Sequence, residues 1–161
     1  MPNWCNTVLD VSGDRKKLES LVKGIEDKGF FQSIIPLEDY SRDNAIECWG
    51  TKWEADIEIM ELECNDDGTA DLLLDFNSAW DPPINVLKAL AEEYQVEAWW
   101  VERGQEIAGQ IISDGKGSFD VKELQDVLTI SDVPEKDLED LVCGLEDWLK
   151  DEEEFQKQYE N

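Results

Sequence analysis

The chain has no histidine, and only 14 of its 161 residues are lysine or arginine. Lacking histidine, it has lost the commonest general base and every Ser-His or Cys-His nucleophile arrangement. Lacking bases, it has no broad cationic surface for phosphates, which argues against direct nucleic-acid binding. The four cysteines (Cys5, Cys48, Cys64 and Cys143) show no CxxC spacing. A zinc site would have to gather all four thiols from distant elements, so they read as small buried apolar residues. No apolar run approaches the roughly 20 residues of a membrane span. Met1-Pro2-Asn3-Trp4 lacks the basic and apolar regions of a signal peptide. The expectation is a non-enzymatic cytoplasmic protein with no cofactor, no metal and no membrane partner.

What the chain does have is acid. Forty Asp and Glu give a formal net charge of -26. A globule of this length has a diameter of about 40 Å. Duplex DNA of that length carries about 24 phosphate charges, at one per ~1.7 Å of axis. The protein therefore matches, in sum, a DNA segment as long as itself, and such a field steers it toward basic partners. Solubility, a halophilic source or weak binding of divalent cations account for the same sum. With 41% hydrophobic residues and seven tryptophans the chain folds despite its charge. Its length suits one domain with an appendage.

Three clusters set a tryptophan beside Asn or Thr: Met1 to Asn6, Cys48 to Ala55, and Phe76 to Pro83. An indole buries on the order of 200 Å² and still offers an N–H. Trp4, Asn6, Trp49, Thr51, Trp53 and Trp80 are thus candidates for one aromatic–polar knot, either corner packing or a ligand surface.

Taken in order, residues 4–12 alternate as a strand, and Asp14 caps a helix to about Lys28 with Leu18, Leu21, Val22 and Ile25 on one face. Phe30 to Ile35 reads as a buried edge or loop, and Glu38 to Asn44 as a loop. From about Asn44 the chain reads as extended. Ala55, Ile57 and Ile59 share one face, and Met60, Leu62 and Cys64 continue with the phase slipped by one, the mark of a β-bulge. Asn65-Asp66-Asp67-Gly68 is a hairpin turn, and Ala70, Leu72, Leu74 and Phe76 point inward on the return strand. Asp81 reads as the N-cap of a second helix carrying Ile84, Leu87, Leu90, Ala91 and Tyr94. Val96 to Glu102 and Glu106 to Ile112 form a further hairpin, with Arg103-Gly104 as its turn.

This order, βα then ββ then αβ, predicts an α+β fold over residues 1–112: a ferredoxin-like antiparallel sheet with two helices on one face. Residues 113–119, with Asp114-Gly115-Lys116-Gly117-Ser118, read as a hinge. Asp120-Val121-Lys122-Glu123 resembles a capping box, opening an acidic helical hairpin over 120–161. There Leu138, Leu141, Val142, Leu145, Trp148 and Leu149 form an apolar stripe. Asp137, Glu139, Asp140, Glu146, Asp147, Asp151 and Glu152 lie opposite. The stripe packs on the sheet domain or makes a homodimer with a second copy.

Met1-Pro2-Asn3-Trp4-Cys5-Asn6, Trp49-Gly50-Thr51-Lys52-Trp53, Phe76-Asn77-Ser78-Ala79-Trp80-Asp81-Pro82-Pro83 and Glu102-Arg103-Gly104-Gln105-Glu106-Ile107-Ala108-Gly109 resemble the signatures of the YubB family. These are ferredoxin-like, Api-type proteins of phages, plasmids and bacteria. The resemblance covers about residues 1–112 and implies the fold and a mobile-element origin, with host cytoplasm as the compartment of a phage-encoded member. It brings no catalytic residues.

The functional expectation is an acidic inhibitor that imitates DNA and blocks a basic, nucleic-acid-binding defence protein of the restriction or CRISPR type. Its candidate surface is Glu54, Asp56, Glu58, Glu61 and Glu63 on the strand together with the acids of the C-terminal segment. The alternative is a structural or regulatory module that docks through its apolar stripe, with acidity for solubility alone. Salt separates the two, because charge recognition weakens with ionic strength and apolar docking does not.

Overall fold

The computed structural model describes residues 3–102 and 107–123. Alternation carries β1 (Trp4–Asp14), whose Cys5, Thr7, Leu9 and Val11 are all fully buried. The Asp14 carboxylate accepts from the Lys17 amide at 3.1 Å and caps α1 (Arg15–Lys28), which seats Leu18 and Ile25 in the core. Two short helices follow, α2 (Phe30–Ile34) and α3 (Arg42–Trp49). After them come β2 (Asp56–Cys64), β3 (Thr69–Ala79), α4 (Ile84–Glu93), β4 (Gln95–Glu102), β5 (Ile107–Ser113) and β6 (Phe119–Glu123).

The strands make one six-stranded sheet in the order β2-β3-β1-β4-β5-β6, with every neighbouring pair antiparallel. The fold is α+β, with four helices among the described residues. The helices pack over one face of the sheet. There Phe30, Phe31 and Phe76 meet with ring centroids 5.2 to 5.9 Å apart, and Trp49 lies 5.5 Å from Phe31. Each such side chain removed from water contributes roughly 1.5–3 kcal/mol, and together these rings lock α2 and α3 onto β3.

The slipped phase in β2 is a bulge: Ile57 pairs with Phe76, Ile59 with Asp75, and Glu58 is the extra residue. The bulge turns Ile59 outward, to 42% exposure, where simple alternation had set it inward with Ile57. The turn at Asn65–Gly68 is as expected. Gly68 takes φ 87°, and the Asp67 carboxylate accepts from the Thr69 hydroxyl and amide, which holds its pKa below the ordinary value.

Four local expectations are overturned. Residues 42–49 are helical, not extended: Ser41 accepts from the Asn44 amide at 3.1 Å, Ala45 and Trp49 bury one turn apart, and Gly50 closes the helix at φ 97°. Phe30–Ile34 is a helical turn and not an edge segment. Asp81 does not cap α4, which starts at Ile84 without a side-chain cap. Asp120-Val121-Lys122-Glu123 belongs to a strand paired with β5, so no helix opens there. The glycines before it make the β5–β6 turn, closed by the Asp114 amide donating to the Ser118 carbonyl at 3.1 Å. The expected Arg103-Gly104 turn, Cys143 and the helical hairpin beyond Glu123 lie outside the described residues.

Candidate functional site

The face of the sheet opposite the helices is the candidate site, and strand register sets its composition. Successive rows across β2, β3 and β1 read Asp56–Asn77–Asn6, Ile59–Asp75–Val8, Glu61–Leu73–Asp10 and Glu63–Asp71–Ser12. With the bulged Glu58, seven carboxylates fall on this half of the face. Neutral donors fix several of them. Asn6 Nδ2 donates to Asp75 at 2.8 Å and to the Asn77 side-chain oxygen at 3.1 Å, and Asn77 Nδ2 donates to Glu58 at 3.0 Å. Ser12 and Asn65 both donate to Asp71. Amide and hydroxyl donors hold a carboxylate in place without cancelling its charge. None of the seven is in an ion pair with another described residue; the pair Arg15–Glu19 lies on the surface of α1, away from this face.

Asp10, Glu61, Glu63 and Asp71 line a depression of about 360 Å³, together with Leu62 and Leu73. The Asp10 carboxyl is pushed above its ordinary pKa by the surrounding sheet surface, and further by the neighbouring Asp71 charge. The crowding of negative charge is therefore already felt by one of its members.

Glu54 leaves this surface. Its carboxylate accepts from the backbone amides of Phe31 (2.6 Å), Gln32 (2.9 Å) and Ala55 (2.9 Å), taking the place of a side-chain cap on α2. Gly29 makes room for it: a Cβ there would lie 2.8 Å from the Glu54 carboxyl carbon. The other strand acids, Asp56, Glu58, Glu61 and Glu63, are exposed as expected. Sequence reasoning passed over Asp71 and Asp75, which join them across the β2–β3 hairpin, and Asp10, which joins them only through the pairing of the distant strand β1. Asp137, Glu139, Asp140, Glu146, Asp147, Asp151 and Glu152 lie outside the described residues.

The tryptophan knot divides in two. Trp4 and Trp53 meet with centroids 6.1 Å apart at one end of the sheet, and Lys52 Nζ sits 4.6 Å from the Trp53 ring and 5.5 Å from that of Trp80. Thr51, 1% exposed, ties this corner to β3 by donating to the Ala79 carbonyl at 2.7 Å. Trp49 lies in the core beneath, its indole donating to the Ile35 carbonyl at 2.7 Å. Asn6 belongs to the acidic face. The corner has a packing role in full view, with the lysine occupying the aromatic surface.

Cys5 is buried, and its thiol is pushed far above the ordinary value by burial and then by the Glu102 charge. Cys64, by contrast, is exposed at the end of β2 and Cys48 is half-buried, against the expectation of burial. Among the described residues no group of three or more Cys, Asp or Glu has metal-holding geometry, and no helix is long and apolar enough to cross a membrane.

No protein-family model matches the chain, and none of the curated proteins matches it. Among solved structures it is similar to the crystal structure of protein api92 from Yersinia pseudotuberculosis, described with the family model DUF1281. The two are 20% identical with a TM-score of 0.43, over 58% of this chain and 38% of that one.

Proposed function

We propose that the acidic half of the open face takes the place of DNA in the groove of a basic, nucleic-acid-binding protein, and that the chain acts by occupying that groove. The observation that carries this reading is the set of seven carboxylates on one half of the face, three of them (Glu58, Asp71 and Asp75) held by neutral donors and none in an ion pair with another described residue. Alternate strand residues stand about 6.5–7 Å apart and neighbouring strands about 4.8 Å apart. The backbone thus sets the carboxylates out on a regular lattice, with Glu58, Asp71 and Asp75 already held in place. The partner expected for such a lattice presents arginines and lysines in a channel shaped for phosphates.

The fold reading belongs to the same proposal. Four strands in the order β2-β3-β1-β4, with α1 to α3 linking β1 to β2 and α4 linking β3 to β4, support a ferredoxin-like unit extended by β5 and β6. The four sequence signatures support kinship with YubB and Api-type proteins, and so a mobile-element origin in which blocking a host defence protein is useful.

The test is capture from bacterial lysate with the full chain, beside a variant carrying Asp56→Asn, Glu61→Gln and Glu63→Gln. The expected result is a nucleic-acid-binding protein that elutes with salt or with duplex DNA and is lost in the variant. A partner retained at high salt, or one held equally by the variant, overturns mimicry and favours docking through an apolar surface.

A further inference from the structure

Strand register, which sets out the acidic rows, also fixes what stands at their end. On β1 the open face carries Ser12, Asp10, Val8, Asn6 and Trp4, and the row beyond Asp56–Asn77–Asn6 is Trp4–Ala79. The carboxylate lattice therefore ends on an indole. Trp4 is 42% exposed. Trp53, just ahead of β2, meets it with centroids 6.1 Å apart and the rings tilted by 50°. A cation already sits on this cluster: Lys52 Nζ lies 4.6 Å from the Trp53 centroid and 5.5 Å from that of Trp80. Among the described residues no lysine or arginine lies over Trp4. Ring faces are the negative part of an aromatic side chain, and carboxylates alongside raise the local concentration of cations. An exposed tryptophan alone is ordinary. This one is distinguished by its place in line with the rows and beside rings that already hold an ammonium.

We propose that Trp4 receives an arginine of the basic partner, its guanidinium stacked on the indole while neighbouring cations meet the carboxylate rows. This inference rests on the reading of the acidic half as the surface for a basic protein. Charge complementarity selects a cation, and the ring selects which one. A guanidinium is planar, weakly hydrated and stacks on aromatic faces, whereas an ammonium is a compact, strongly hydrated point charge. Spacing agrees. Trp4 stands two residues beyond Asn6, a step of about 6.5–7 Å along the strand. Cations spaced to meet successive rows therefore set one at Trp4. Lys52 stays where it is, since its rings are Trp53 and Trp80 and the arginine takes the exposed surface of Trp4.

The test titrates the full chain with nona-arginine and, separately, nona-lysine, followed through the indole N–H signals in NMR spectra. With nona-arginine the Trp4 signal should shift, while that of Trp49, 2% exposed, should stay in place. Trp4→Leu should weaken nona-arginine about two- to fivefold, the worth of one exposed cation–π contact, and bring its affinity closer to that of nona-lysine. The variant carrying Asp56→Asn, Glu61→Gln and Glu63→Gln should weaken both peptides alike. The Trp4 shift is read on the unaltered chain, so it decides the matter even where Trp4→Leu disturbs the corner. An unmoved Trp4 signal, or a Trp4→Leu loss equal for both peptides, overturns the stacking site and leaves the acidic face standing. A loss confined to nona-arginine in Trp4→Leu, with none in the acid variant, supports the stacking site and overturns the acidic face. Failure of both peptides to bind overturns both.

Discussion

Gly109 sits directly across from Trp100 in the β4–β5 pairing, with the indole lying flat over it. A methyl group added there would stand 2.3 Å from Cζ2, 2.4 Å from Cε2 and 2.6 Å from Nε1 of the ring. Carbon atoms pack at about 3.5–4.0 Å, so the ring must retreat by roughly 1.2 Å or more. Trp100 is 3% exposed and packed against the core, so its retreat disturbs that packing. Overpacking of this kind costs about 1–3 kcal/mol. With a urea slope of about 2 kcal/mol per molar, Gly109→Ala should lower the unfolding midpoint by about 1 M at unchanged slope. Trp100→Leu destabilises on its own account but opens the space, so Gly109→Ala should cost at least ~1 kcal/mol less in that background. The experiment is a double-mutant cycle by urea melts. A midpoint unmoved by Gly109→Ala, or the same loss in both backgrounds, would refute the steric reasoning.

Glu54→Ala should destabilise by about 1–2 kcal/mol in the same melts, because it removes the acceptor for two amides of α2. Glu61→Gln, on the exposed face, should stay within about 0.5 kcal/mol of the parent, and affect only recognition of basic partners. Thr51→Val should cost about 0.5–1.5 kcal/mol, since it removes one of the two donors to the Ala79 carbonyl and leaves the Asp81 amide in place. Asp10 gives a pH test. Its pKa is raised in the folded state, so its ionised form opposes folding, and that opposition is absent below about pH 3.8 and grows as pH climbs through the folded value. Asp10→Asn should therefore raise the thermal midpoint at pH 7 and leave it unchanged near pH 3; an equal gain at both pH values would remove charge as the cause.

Elements whose cues are local were legible in the sequence. Alternation gave β1 and β3, the Asp14 cap and the Gly29 stop gave α1, and a one-residue slip gave the bulge in β2 before any partner strand was known. What escaped was set by contacts distant in sequence. α3 buries only Ala45 and Trp49, too few for a visible stripe, although Ser41 and Gly50 mark both of its ends. Asp120-Val121-Lys122-Glu123 has the letters of a capping box, but a free partner edge on β5 offers a full ladder of hydrogen bonds, and pairing wins over local propensity. At the candidate site, Glu54 looks like its exposed neighbours until the fold brings the start of α2 within reach, 22 residues upstream. Asp10 lies in β1 and Asp71 and Asp75 in β3, and only register makes them neighbours of Glu61 and Glu63.

The bulge at Glu58 also bears on how the molecule behaves in a crowd of its own copies. β2 ends the described sheet on one side, and a free strand edge is a template for another chain. Here the ladder is interrupted at the extra residue, and the strand carries Asp56, Glu58, Glu61 and Glu63 along its length. A second copy approaching edge to edge meets a broken hydrogen-bond register and a row of like charges. The barrier is electrostatic in its larger part and is screened within about 10 Å at 0.1 M salt. The carboxylates proposed to meet a basic groove thus also oppose joining of copies into longer sheets, and that opposition thins as ionic strength rises.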